Sequence, residues 1–94
     1  MFSAMQCQVA RLVTGTDTPD EVISQEYAAM LGSNRSVAAM RLDAAVRQYG
    51  LPFQQAWDYA IKDFREIAEQ YNVSPATLLC LYVEWCNENG KKLN

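Results

Sequence analysis

The stretch that decides the fold is PFQQAWDYAIKDFREIAEQY, residues 52–71. Phe53, Trp57, Ala60, Ile61, Phe64, Ile67, Ala68 and Tyr71 recur at steps of three and four, so on a helix turning about 100° per residue they form one stripe. Gln55, Asp58, Lys62, Arg65, Glu66 and Glu69 occupy the opposite face. The pattern predicts an amphipathic helix, and four aromatic residues on one side of it demand a cover. We read it as the central helix of a small bundle.

Pro52 is acceptable in the first turn of that helix. Asn72 suits the left-handed residue that ends it. Ser74-Pro75 then gives an N-cap followed by proline, opening a last helix over residues 75–89 that Gly90 closes, with Lys91 and Lys92 near its negative end. Upstream, Phe2, Met5, Val9, Leu12 and Val13 recur at helical spacing before Gly15, predicting a short first helix over residues 3–14. Thr18-Pro19-Asp20-Glu21 reads as a capping box, which predicts a second helix with an apolar face of Ile23, Tyr27, Met30 and Leu31 and a stop at Gly32. A third helix, from Ser33 or Asn34 to Tyr49, carries Ala38, Leu42, Ala45, Val46 and Tyr49, with Gly50 as its stop. No stretch alternates as a strand does. The expected fold is therefore all-α, a compact bundle of about five short helices in one domain, residues 1–94.

With 94 residues the core is thin, because a chain of this size buries only about 60–65% of its unfolded surface. No apolar run reaches the roughly 18 residues of a membrane span, and Arg11 interrupts the place where a signal peptide would have its apolar block. The expected location is cytoplasmic, with no membrane partner. The net charge of −3 divides into −1 over residues 1–50 (four basic, five acidic) and −2 over residues 51–94 (four basic, six acidic), which leaves no basic patch for nonspecific nucleic-acid binding.

Chemistry is sparse. The chain has no His, the commonest general base at neutral pH, and its cysteines, Cys7, Cys80 and Cys86, lack C-x-x-C spacing. They read as small buried hydrophobes in a reducing compartment, with no metal and no cofactor expected. The glycines are isolated helix stops, so no phosphate-binding loop exists. The carboxylates are scattered along exposed helix faces. The expectation is a non-enzymatic protein without a small-molecule substrate.

The last helix stands out because it is apolar on nearly every side. Leu78, Leu81, Tyr82 and Trp85 form one stripe, and Leu79, Cys80, Val83 and Cys86 fill much of the rest, leaving Thr77, Glu84 and Asn87 as a polar margin. Such a helix is either the middle of the bundle or a surface covered by a partner. The lead expectation is a protein-interaction or regulatory module, self-associating or binding another protein, through Leu79, Cys80, Val83 and Cys86.

Residues 64–83 resemble a helix-turn-helix segment of bacterial DNA-binding proteins. Ile67 and Ala68, Asn72 in the turn, Val73, Leu78 and Leu81 fall where the two helices of such a pair pack. The groove-facing positions would be Ser74, Pro75, Ala76, Leu79, Cys80 and Val83, none of which reads base edges. A rougher match at residues 25–42 has better chemistry, Asn34, Arg35 and Arg41, with Arg47 further along, on a displaced frame. The resemblance implies, as an alternative, a DNA-binding regulator, dimeric, using those four residues. Arg35, Arg41 and Arg47 fall on three sides of their helix, since each six-residue step turns it by about 240°. A further alternative is an acidic inhibitor of a nucleic-acid-processing protein, of the kind found among phage and plasmid accessory proteins, acting through Asp58, Glu66 and Glu69.

Overall fold

A computed structural model describes residues 2–93. Among these residues the chain forms five helices and no strand: α1 (Ala4–Thr14), α2 (Asp20–Ala29), α3 (Gly32–Arg47), α4 (Phe53–Tyr71) and α5 (Pro75–Glu88). None is long and apolar enough to cross a membrane.

The quoted stretch becomes α4, with Ala56, Ala60, Phe64, Ile67 and Ala68 buried and its charged face exposed. Asn72 ends it at φ 56°, the left-handed conformation expected there, and the Val73 N–H returns to the Ala68 carbonyl at 3.0 Å. Ser74 then caps α5 by accepting from the Ala76 N–H at 3.1 Å.

The centre of the bundle is α5 rather than α4. It packs against each of the other four helices, whereas α4 rests mainly on α3 and α5. This placement explains why α5 is apolar all round: Ala76, Thr77, Leu78, Leu79, Cys80, Leu81, Tyr82 and Cys86 are all buried. Its hydroxyl-bearing margin is drawn inside as well. Thr77 is fully buried and donates to Glu26 at 2.6 Å, so the residue read as polar margin is a core contact to α2. Rings from α4 and α5 interlock, Phe64 meeting Trp57 edge-on at 4.7 Å and Tyr82 at 5.9 Å.

Three local expectations are corrected. Thr18 caps nothing, because its hydroxyl lies 2.5 Å from the Ser74 hydroxyl and its carbonyl accepts from Arg11 at 3.1 Å. The N-cap of α2 is Pro19, which has no side-chain acceptor, and the positive helix end is met by Asp20 and Glu21 instead. Gly32 is not a stop but the first residue of α3. Met30 and Leu31 are extended and turn the chain between the two helices, which leaves Leu31 outside the apolar face assigned to it.

The orientation of α1 is the largest departure. Its ends are well specified: Ser3 and Gln6 form a capping box, the Gln6 N–H to Ser3 at 3.1 Å and the Ser3 N–H to Gln6 at 2.7 Å, and Gly15 at φ 68° closes the helix. The buried residues, however, are Cys7, Ala10 and Thr14. Met5 and Leu12 remain 73% and 75% exposed, and Val9 50%. Small side chains let α1 approach a neighbour that already supplies the bulk, and the Thr14 hydroxyl is satisfied inside by the Ala10 carbonyl at 2.7 Å.

Candidate functional site: the groove between α1 and α5

Along one edge of the contact between α1 and α5 a groove of about 260 Å³ remains. Leu79, Cys80 and Val83 line it from α5, and Met5, Gln6, Val9 and Ala10 from α1, with Ser3 at the end. None of these side chains is charged at neutral pH. Leu12 lies one turn beyond, on the same exposed flank as Met5 and Val9.

The thiols in this region are quiet. Cys80 lies beside Cys7, and its Sγ donates to the Gln6 carbonyl at 3.9 Å. Burial, reinforced by the neighbouring Cys7, pushes the Cys80 thiol up to about 12. Burial also raises Cys7. Thiols held in the protonated form are poor nucleophiles.

Of the interface residues read from sequence, Leu79, Cys80 and Val83 come together in this groove. Leu79 and Cys80 are buried at its base and Val83 is half-buried. Cys86 is fully buried beside Tyr82 and does not line it. Exposed large apolar residues also occur at Leu31, Val37, Met40, Leu51 and Tyr59, but those beside this groove are on α1, whose Met5, Val9 and Leu12 were legible only as helix markers. The signal that places them outside is the competing set Cys7, Ala10 and Thr14, which has the same spacing and smaller side chains.

The arginines do not converge. Arg35 stacks over the Tyr27 ring at 4.2 Å and donates to the Tyr27 carbonyl at 3.3 Å. Arg47 donates to Asp43 at 2.7 Å and to the Lys92 carbonyl at 3.3 Å. Arg41 is exposed and borders a cleft together with Asp63 and Glu66, while Asn34 is exposed near the start of α3. In the stronger helix-turn-helix match, Ala76, Leu79 and Cys80 lie inside the bundle, so these groove-facing positions of α5 are covered by the chain's own helices. The carboxylates of α4 are likewise divided: Asp58, Glu66 and Glu69 are exposed, but Glu66 shares its cleft with Arg41, whereas Glu69 borders another with Asp17 and Glu26. No group of three or more Cys, Asp or Glu able to hold a metal ion occurs among the described residues.

Comparison of the chain with protein-family models, with curated proteins and with solved structures gave no match in any of the three.

Proposed function

We propose that this protein is a protein-binding module that takes an apolar helical segment across the groove between α1 and α5. The observation that carries the reading is the outward stripe of Met5, Val9 and Leu12 beside an uncharged groove floored by Leu79, Cys80 and Val83. Large apolar side chains concentrated on one exposed helix flank mark an interaction surface more than scattered ones do. An amphipathic helix laid into such a groove would present its own residues at i, i+3 or i+4, and i+7.

Magnitudes place the complex in a class. Covering Met5, Val9 and Leu12 gains roughly 1.5–3 kcal/mol each, and association costs about 4–15 kcal/mol before the partner's own apolar surface is added. The balance suits a reversible module rather than a permanent subunit.

Selection of displayed helical peptides against the immobilised full chain tests this, with a Met5→Glu, Leu12→Glu double variant as the counter-target. The expected result is a set of peptides with apolar residues at helical spacing that bind the natural chain and not the variant. Peptides indifferent to the two substitutions, or no peptides at all, would overturn the reading.

A further inference from the structure

We infer that the segment covering the α1 flank is α1 of a second copy of this chain, packed antiparallel about a two-fold axis. The inference rests on the protein-binding reading above and names its occupant. Met5, Val9 and Leu12 are separated by four and then three residues, the spacing of a seam between two helices. The stripe is also close to symmetrical end to end. In an antiparallel pair centred between Gln8 and Val9, Met5 of one copy faces Leu12 of the other, and each Val9 lies next to the axis. A two-fold interface requires this kind of self-complementarity, because the same patch serves both sides.

Charge does not oppose a second copy on this flank. Each chain carries −3, so most pairings of two copies bring like charges together. The α1 flank avoids this: its exposed residues Ala4, Met5, Gln8, Val9 and Leu12 have no ionisable side chain, and Arg11, the only charged residue of α1, is turned into an ion pair with Asp20. By contrast, the exposed face of α4 carries Asp58, Lys62, Arg65, Glu66 and Glu69.

Area sets the strength. A helix of 11 residues is about 16 Å long at 1.5 Å per residue, so with the groove beside it the footprint is a few hundred Å² per copy, below the roughly 800 Å² of a standard interface. The dimer is accordingly weak and concentration-dependent.

Sedimentation of the full chain from about 10 µM to about 1 mM tests the inference in the range where weak dimers dissociate. The mass is expected to rise from 10.6 kDa toward twice that value. Leu12→Glu should weaken association at least tenfold. Val37→Glu, which charges another exposed apolar residue, on α3, should leave it unchanged. Both positions are exposed, and circular dichroism would verify that each variant keeps its helices. A chain monomeric throughout the range, or a dimer broken by Val37→Glu and not by Leu12→Glu, overturns the second copy. If the monomeric chain still selects peptides that need Met5 and Leu12, the groove reading survives and only the self-pairing fails.

Discussion

The Tyr82 hydroxyl on α5 donates to Oδ1 of Asp43 on α3 at 2.9 Å, and both residues are buried. Arg47 Nε reaches the same oxygen at 2.7 Å, and Lys91 Nζ lies 3.7 Å from the other. A carboxylate this far inside a small bundle is tolerable only when its charge and lone pairs are met. Asp43 therefore joins α3, α5 and the segment after α5 at one point. Tyr82→Phe is expected to cost about 1–3 kcal/mol in urea denaturation, the range for a lost hydrogen bond to a charged group. Asp43→Ala should cost more, since it orphans the buried hydroxyl and releases Arg47 and Lys91 together. Equal stability of the three proteins would show the cluster to be dispensable.

Glu26 on α2 works as a remote cap for α5. Its Oε1 accepts from the Ser74 N–H at 3.0 Å and from the Thr77 hydroxyl at 2.6 Å. Glu26→Ala leaves the fully buried Thr77 hydroxyl without its acceptor and should destabilise the fold by about 1–3 kcal/mol. Glu26→Gln keeps an acceptor oxygen and should recover part of the loss. Denaturation midpoints of the two variants, compared with the natural chain, read the difference.

The rotation of α1 has a direct signature. Met5→Glu and Leu12→Glu change exposed side chains and should move monomer stability by no more than about 0.5 kcal/mol, measured at concentrations too low for association. Ala10→Leu forces bulk into the buried face and should cost about 1–3 kcal/mol. The reverse order would mean that the large residues, and not the small ones, face α5.

Alkaline pH should loosen the fold through its thiols. Cys80 rises from its ordinary value of 9.0 to about 12, and burial raises Cys7 and Cys86 as well. Above pH 9 the unfolded chain loses these protons while the folded chain keeps them, so the contribution is fully present below pH 9 and declines as pH rises toward 12. The limit is about 1.4 kcal/mol per pH unit for each group. Cys80→Ala should therefore show a shallower fall in stability between pH 9 and 11, in urea titrations at several pH values, than the natural chain. Parallel slopes would remove Cys80 from the effect.

By itself the sequence determined the number, order and approximate ends of the helices, because those follow from local forces: apolar residues at steps of three and four, Asn72 in a left-handed conformation, Ser74 before Pro75. It also determined the buried face of α4, where Phe64 and Ile67 lie on one stripe and the charged residues on the other; on α3 Leu42 and Val46 are buried as read, but Val37 and Met40 are left exposed and Asp43 is drawn inside. Where two faces of one helix compete, the local pattern is silent. On α1 the large residues and the small ones share the same period, and the choice belongs to α5, whose bulk admits only Cys7, Ala10 and Thr14 at close range. The same holds for capping: Thr18 is a good cap by its position, yet Ser74, 56 residues away, takes its hydroxyl. Thus Leu79, Cys80 and Val83 could be singled out from sequence as apolar excess on α5. That they form the base of a groove flanked by an exposed Met5, Val9 and Leu12 was decided only by tertiary packing, since a surface is whatever the best-fitting neighbours leave uncovered.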